Sequence, residues 1–457
     1  MRLAPELNDG GLNTEDLMSP ILPKDIGWEV VDSHTDEGLS RLRRWQRESP
    51  DKFSLTQYKS AVEELLEHAE GLGKNPKDAG GMVEVVVGKI YKATRRIEKK
   101  DIESLVRANP ISEDLAWLSG EIQRVGGNFE VIDKGARWFR NKQTGKVFKY
   151  MGREASGVLR MARLVGLIPF EVIRQLKIEH IVCAGSSAAA RTIDLLVALG
   201  AENISVWDSG IVSPAKSGLY PGFMGSIEAV GMYKTAALKV QVAGRNPDGM
   251  FQFHIGIVKP DGAELGTDDV SYSGFVKRAT LILEVVDDPW TKTGLRNWLA
   301  VNCPNLPVVF LADLGNESIA GIEIPGREEH FHQELSSVEL TRMGELPAEI
   351  SRLDKPAVMK EALQAVWRMV KKELPPAHAL QFVFFLLGMS SAWSQTPIAG
   401  VESSVIATKL ILSHLMRRNV SERNYNSGGV PSTLVPEFTK EQEVTLGRII
   451  EQMFAWQ

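Results

Sequence analysis

One stretch near the middle of the chain, HIVCAGSSAAARTIDLLVALGAENISVWD at residues 180–208, constrains the fold more than any other. It opens with a short apolar run that contains β-branched residues, continues through small residues, and then shows the apolar spacing of a helix at 192–199. Gly200 is a helix stop signal, and residues 204–207 predict a second strand. The stretch therefore predicts a strand, a tight turn, a helix and a strand, which together form one βαβ unit.

The turn after the first strand partly matches the dinucleotide-binding fingerprint G-x-G-x-x-G/A. Gly185 and Ala188 occupy its second and third positions, Ser186 lies between them, and Cys183 replaces the first glycine. Small residues there let a phosphate approach the N-terminus of the helix. Asp208 follows the second strand, where a carboxylate can accept hydrogen bonds from a ribose. Many βαβ turns with small residues bind nothing, so a nucleotide site and a structural turn both stay open at this point.

Composition excludes several classes of protein. The net charge of −5 gives no electrostatic case for nucleic acid, and the basic runs at 41–47 and 92–100 are typical of solvated helix faces. The two cysteines exclude a disulfide framework and a four-cysteine zinc site. The N-terminus lacks an apolar signal core, and no apolar run reaches the roughly 18 residues that span a bilayer. We expect a soluble, cytoplasmic protein that binds neither nucleic acid nor membrane.

The first 150 residues predict a mainly helical N-terminal domain. Residues 1–35 show no sustained period and predict an irregular or partly ordered arm. Residues 129–150 alternate apolar and polar side chains around a polar turn, which predicts a hairpin at the end of this domain. The helices between are predicted at 55–71, 82–107 and 111–125.

The remaining residues, 151–457, predict a nucleotide-binding α/β domain. Two continuous apolar runs, 280–286 and 307–312, are typical of strands that are buried on both faces. The predicted fold class is therefore α/β, a Rossmann-like sheet with flanking helices, preceded by a mostly helical domain. A further strand is predicted at 251–258, an insertion near 325–378, and helices at 157–176, 380–389, 397–416 and 437–456.

Two segments carry residues that can bind metal ions. Asp287 and Asp288 follow a predicted strand at its carboxyl end, where an acidic pair can hold a magnesium ion bound to phosphates. The local pattern favours the simpler interpretation, a helix N-cap before Trp290. His330 and His332 lie two residues apart with no third ligand nearby, so their segment favours a solvated loop over a metal site.

From about Gly157 onward the chain resembles the ubiquitin-activating-enzyme superfamily in its bacterial ThiF/MoeB/HesA form. The resemblance covers about 250 residues and leaves the first 150 outside. It rests on the order of these pieces: IVCAGSSAAA, ISVWD, GMYK, LILEVVDDPWTK, PVVFLADLG and TPIAGVESSVIATKLI. It implies ATP-dependent adenylation of a carboxylate, usually the C-terminal glycine of a small ubiquitin-like or sulfur-carrier protein, with release of pyrophosphate.

The resemblance also implies roles for individual residues. Carried over by position, Gly185 would lie behind the phosphates, Asp208 would hold the ribose, Lys234 would contact phosphate and Asp287 would bind magnesium. ATP and magnesium are thus the implied cofactors. This set suits the chemistry, because positive charge must neutralise the triphosphate while the carboxylate and the α-phosphate are held in line.

The chain departs from the family in the loop after Asp208. Where the family has a second aspartate, an asparagine and an arginine, this sequence has Gly210, Lys216 and Leu219. Lys216 would restore one positive charge, but not the two-pronged geometry of an arginine. Family members often borrow an arginine from the N-terminal helix of a dimer partner, and Arg153 is the candidate by spacing. Neither cysteine lies at the family's thioester position, and its paired Cys-x-x-Cys zinc motifs are absent.

Three functions are compatible with these observations. The first is a homodimeric ThiF-like enzyme that adenylates a carboxylate of a peptide or small carrier protein without an internal thioester, its N-terminal domain helping to select that partner. The second is a ThiF-like scaffold subunit that has lost adenylation through its altered loop. The third is an NAD-dependent oxidoreductase, which Asp208 favours and the late helix TPIAGVESSVIA does not. The homodimer is predicted from family habit and from the apolar segment 380–389.

Overall fold

The computed structural model describes residues 28–325, 397–416 and 439–454. The predicted insertion from residue 326 onward, the predicted helix at 380–389, His330 and His332 lie outside the described residues. Within the described ranges, these positions are excepted: 73, 95–96, 109–110, 127–131, 134–135, 143, 165–167, 215–219, 247–248, 259–263, 267–271, 287–288 and 315–316.

The N-terminal region combines helices with a small sheet. The elements are β1 Trp28–Val31, α1 Asp36–Glu48, β2 Phe53–Ser54, α2 Thr56–Leu72, α3 Ala79–Thr94, α4 Lys99–Arg107, α5 Ile111–Gly126, β3 Arg137–Asn141 and β4 Val147–Tyr150. The sheet has the strand order β1-β3-β4-β2, in which β3 is antiparallel to both of its neighbours and β2 is parallel to β4. The predicted hairpin is confirmed as β3 and β4.

The predicted arm at 1–35 contains an ordered part, β1, whose partner strand lies over a hundred residues away, with Trp28 opposite Asn141. A different prediction for this region is wrong. The predicted helix at 82–107 is two helices, because α3 ends at Thr94 and α4 begins at Lys99. A continuous helix would place Val83 roughly 30 Å from Ile102. The break lets α4 fold back, so that both side chains are buried in one cluster.

The α/β region contains the predicted central unit and a mostly parallel sheet. The elements are α6 Arg153–Ala162, α7 Phe170–Ile178, β5 His180–Ala184, α8 Ala189–Ala198, β6 Asn203–Trp207, α9 Lys234–Arg245, β7 Met250–His254, β8 Gly256–Val258, β9 Glu264–Gly266, α10 Tyr272–Val276, β10 Leu281–Glu284, α11 Pro289–Asn302, β11 Val308–Leu314, β12 Glu317–Glu323, α12 Pro397–Leu415 and α13 Lys440–Phe454. The strand order of this sheet is β12-β11-β10-β5-β6-β7, and of these six described strands only β12 is antiparallel to its neighbour.

Alternating side chains divide the core between the two faces of this sheet. Ile181 and Cys183 of β5 are buried in the cluster that contains side chains of α7, α8, α9 and α12. Val182 and Ala184, which alternate with them, belong to the cluster formed with α10 and α11. Helices thus cover both faces, which confirms the predicted α/β class with a helical region in front of it.

Two further predictions for the α/β region are wrong. The predicted helix at 157–176 is divided into α6 and α7, with Pro169 at the N-cap of α7, where its ring prevents a continuous helix. The predicted strand at 251–258 is divided into β7 and β8, which belong to different sheets. Strand β12 has no counterpart among the predicted strands. The predicted helices at 397–416 and 437–456 are confirmed as α12 and α13.

The N-terminal helices contact elements from much later in the chain. Asp114 of α5 caps α7: its carboxylate accepts a hydrogen bond of 2.9 Å from the backbone N–H of Phe170. The ring of Phe170 stacks on Trp117, with 3.4 Å between centroids. Burial raises the pKa of Asp114, partly offset by that hydrogen bond. At the other end of the chain, α13 buries Ile449 in the cluster formed by α3 and α4.

In the part of the chain that the structure describes, no helix combines the length and the apolar character needed to cross a lipid bilayer.

The packing of α13 can be tested with two substitutions on that helix. Ile449 is 4% exposed, whereas Val444 is 56% exposed. We expect Ile449→Ala to lower the free energy of unfolding by about 2 to 4 kcal/mol, because it leaves a cavity between α13 and the N-terminal helices. Val444→Ala should change it by less than about 0.5 kcal/mol. Urea titration followed by circular dichroism measures both, and equal losses would contradict this packing.

Candidate functional site

Asp208 joins the turn after β5 to the loop after β6. Its Oδ2 accepts hydrogen bonds from the backbone N–H of Ser186 (2.9 Å) and from the Ser186 hydroxyl (2.7 Å). Its Oδ1 accepts one from the backbone N–H of Gly210 (2.7 Å). A carboxylate offers about four lone-pair positions, so Asp208 keeps capacity for a further donor such as a ribose hydroxyl.

Gly185 has a conformation and a neighbour that both require glycine. Its φ of 89° lies in the left-handed region, which side chains disfavour. A Cβ at this position would lie 2.9 Å from Cγ2 and 3.1 Å from the carbonyl oxygen of Val285, the residue after β10. The Gly185 N–H donates to the carbonyl oxygen of Trp207 (2.9 Å). Val285 is therefore one wall of the turn.

Lys234, the first residue of α9, reaches the same turn. Its Nζ donates a hydrogen bond of 2.7 Å to Oγ of Ser187, and its backbone N–H donates to the carbonyl oxygen of Gly210 (2.9 Å). A Cβ on Gly210 would lie 2.9 Å from both Lys234 Nζ and Asp208 Oδ1. A side chain at position 210 would therefore meet both the Lys234 ammonium group and the Asp208 carboxylate.

The electrostatics of this edge favour an anionic ligand. Helix α8 begins at Ala189 and α9 begins at Lys234, and the Lys234–Ser187 hydrogen bond brings the two N-termini together. Helix N-termini carry partial positive charge and unpaired N–H donors. Together with the ammonium of Lys234 they suit the binding of a phosphate group.

The structure brings together most of the described site candidates. Gly185, Ser186, Asp208 and Lys234 meet at the carboxyl ends of β5 and β6, and Ala188 is the N-cap residue of α8.

Three other candidates are not placed there. Asp287 and Lys216 lie outside the described residues, as does the side chain of Arg153, whose backbone begins α6. Among the side chains that are described, no group of three or more His, Cys, Asp or Glu is arranged to hold a metal ion.

Two residues of the site were missed at the sequence level. Ser187 is the hydrogen-bond acceptor for Lys234, and the hydroxyl of Tyr220 donates to the same Oγ at 3.5 Å. Ser187 stands in the fingerprint turn next to Ser186, so its position was a usable signal. Tyr220 lies in the Gly/Pro/Ser-rich loop after Asp208, where no spacing rule distinguishes it from its neighbours.

Both cysteines are poor candidates for covalent chemistry. Cys183 is fully buried in β5, and burial raises the pKa of its thiol. Cys303 is partly buried beside the cluster of α10 and α11, and burial raises the pKa of its thiol as well, with Lys277 acting weakly in the opposite direction. A raised pKa lowers the fraction of thiolate, which is the nucleophilic form.

Comparison with known proteins finds likeness only among solved structures. No family model matches the chain, and none of the curated proteins matches it.

Three crystal structures illustrate the likeness. PaaA is 14% identical, with a TM-score of 0.35 over 57% of this chain and 71% of that one. E. coli MccB is 14% identical, with a TM-score of 0.37 over 62% and 68%. The E. coli tRNA N6-threonylcarbamoyladenosine dehydratase TcdA, in complex with AMP, is 12% identical, with a TM-score of 0.37 over 56% and 92%. At such values the likeness assigns no function to this chain.

The glycine turn can be tested with a pair of glycine substitutions. We expect Gly185→Ala to lower the free energy of unfolding by at least about 1 to 2 kcal/mol, because it forces a side chain into the left-handed region and against Val285. Gly244 on α9 is the control, since a Cβ there meets nothing within 4 Å. Gly244→Ala should raise stability by a few tenths to about 1 kcal/mol. Thermal unfolding compares the two, and a neutral Gly185→Ala would rule out this geometry.

Proposed function

We propose that the chain binds ATP at the turn after β5 and uses it to adenylate a carboxylate of a peptide or small carrier protein. The observation that carries the proposal is the 2.7 Å hydrogen bond from Lys234 to Ser187. It places an ammonium group where two helices begin, beside a turn that only glycine can form and a carboxylate with spare acceptor capacity. The phosphates of ATP would thus meet the ammonium group and the two helix N-termini, and its ribose would meet the Asp208 carboxylate.

In the proposed reaction the carboxylate of the acceptor attacks the α-phosphorus, and pyrophosphate leaves. Gly185 lets the phosphates approach the backbone at the start of α8, and Lys234 neutralises their charge. Asp208 orients the nucleotide through its ribose. The reaction then either stops at the acyl-adenylate or continues when an outside nucleophile attacks the acyl carbon and AMP leaves. Magnesium, if bound by Asp287, would supply further charge neutralisation, and that assignment stays a prediction because Asp287 lies outside the described residues.

A non-enzymatic binding subunit is the second candidate, and one observation favours it. The family's second aspartate is missing, because position 210 is glycine, and the end of the Lys234 side chain lies close to where its Cβ would be. Exchange of labelled pyrophosphate into ATP distinguishes the two candidates. An NAD-dependent oxidoreductase is the third, and NAD binding tests it.

Other parts of the sequence-level interpretation stay predictions. Residues 1–150 are proposed to help select the acceptor, and their separation as a domain is untested. The N-terminal helices also pack with α6 and α13. The apolar segment behind the predicted homodimer, 380–389, lies outside the described residues.

Lys234 gives a direct test of nucleotide binding. We expect calorimetric titration of the parent to show binding of ATP and no binding of NAD. Lys234→Ala should weaken ATP binding by about 1.5 to 3 kcal/mol, the range for a charge-assisted hydrogen bond. Lys239→Ala is the control, because this lysine lies on the same helix but about 140° around it. Unchanged ATP affinity in folded Lys234→Ala would remove the residue from the site.

The proposal excludes an internal thioester, and alkylation tests this. Since burial raises the pKa of both thiols, each should react more slowly with iodoacetamide at pH 8 than free cysteine does. Because thiolate forms only as the pH approaches the raised pKa, the rate at Cys303 should keep rising above pH 9, and Cys183 should react only on unfolding. Mass spectrometry locates the adducts. Rapid labelling of Cys303 at neutral pH would contradict this part of the proposal.

A further inference from the structure

A cluster of buried charged side chains lies directly behind the wall of the candidate site. Glu284 ends β10, Lys292 and Arg296 lie one turn apart on α11, and Glu323 ends β12. Lys292 Nζ donates to Oε1 and Oε2 of Glu284 at 2.8 and 2.9 Å, and to the carbonyl oxygen of Leu311 at 3.2 Å. Arg296 donates through Nη1 to Glu284 Oε2 (2.5 Å) and through Nε to Glu323. We call these four charged residues the buried network.

The buried network is balanced in charge. The side chain of Lys292 is 8% exposed and those of the other three members are fully buried, so two carboxylates face two cations away from water. Burial opposes ionisation of Glu284, but Lys292 and Arg296 outweigh it and hold the pKa of that carboxyl below its ordinary value. Glu284 therefore stays charged. Removal of one member would leave an uncompensated buried charge, which is strongly destabilising.

Glu284 also holds the backbone of the turn that follows it. Its Oε1 accepts a hydrogen bond of 2.6 Å from the backbone N–H of Val286. Glu284 lies opposite Ala184 in the sheet, and the Val285 N–H donates to the Ala184 carbonyl oxygen (2.9 Å). Val285 is thus fixed by β5 through its own N–H, and the next residue, Val286, is fixed by the Glu284 carboxylate. Its side chain and carbonyl form the wall against which Gly185 packs.

Glu323 provides an internal comparison. It is as buried as Glu284 and is paired with the same Arg296, but it lies on β12, two strands away from β10 in the sheet. Its pairing therefore contributes to the buried network without a link to the glycine turn.

We propose that Glu284 is a positioning residue for the candidate nucleotide site, and that it holds Val285 and Val286 against the glycine turn before nucleotide binds. The inference rests on the proposed ATP binding. It assigns the buried network a role beyond stability. Because the turn is already fixed, phosphate binding would require no ordering of its wall, which preserves affinity.

The test compares Glu284→Met with Glu323→Met. Each removes one buried carboxylate that is paired with Arg296 and nearly preserves the length of the side chain, so both should lower the unfolding temperature. Only Glu284→Met withdraws the acceptor from the Val286 N–H, which an aspartate at position 284 would keep through a bond to the N–H two residues on. We expect it to weaken ATP binding by about tenfold or more, as for a lost charge-assisted hydrogen bond. Glu323→Met should weaken it by less than about threefold.

Hydrogen exchange gives a second readout, which needs no variant to fold. In the parent, the Val286 amide should already be protected without ATP, and ATP should change its exchange rate by less than about twofold. Protection that appears only with ATP would overturn the inference, as would equal ATP affinities in the two variants. A parent that binds no ATP at all would instead overturn the proposed function, and the inference with it.

Discussion

The carboxylate of Asp208 is the junction on which the candidate site depends. It accepts hydrogen bonds from Ser186 in the turn after β5 and from Gly210 in the loop after β6. Neither segment has regular secondary structure, so each needs partners outside its own backbone to be fixed. Gly210 in turn accepts the N–H of Lys234 and so sets the start of α9. One side chain thereby aligns the glycine turn, the loop and the lysine.

The opposite wall of the turn is fixed by a different kind of interaction. There, Val285 packs against Gly185, and the buried network stands behind it. On the Asp208 side, the Asp208 carboxylate and the Lys234 ammonium are partly exposed and can exchange partners with a ligand. On the Val285 side, the acidic and basic groups of the buried network are paired away from water, so a rearrangement would leave an uncompensated charge in a low-dielectric environment. The site thus combines one adaptable side with one rigid side.

The sequence predicted those parts of the fold that depend on local patterns. The βαβ unit, the two apolar strands and the helices α5, α12 and α13 follow from periodicity and stop signals within a few residues. Strand β1 could not be predicted in this way, because it is stabilised by a partner strand more than a hundred residues away. The break between α3 and α4 also depends on contacts beyond the local pattern. It is favoured by the burial of Val83 and Ile102 in one cluster rather than by a helix-breaking residue.

The candidate site shows the same division. Gly185 and Asp208 could be identified from spacing, because a tight turn and a strand end impose residue types at fixed positions. Lys234 was assigned only through the resemblance, and Ser187 not at all, because their contact joins residues 47 positions apart.

The departure at Gly210 now has a physical meaning. With no side chain at 210, the site lacks the carboxylate that the resemblance implies there, while Lys234, which the resemblance also implies, donates its Nζ hydrogen bond to Ser187. The loss of one negative charge makes this edge more attractive to anions and less attractive to a metal ion.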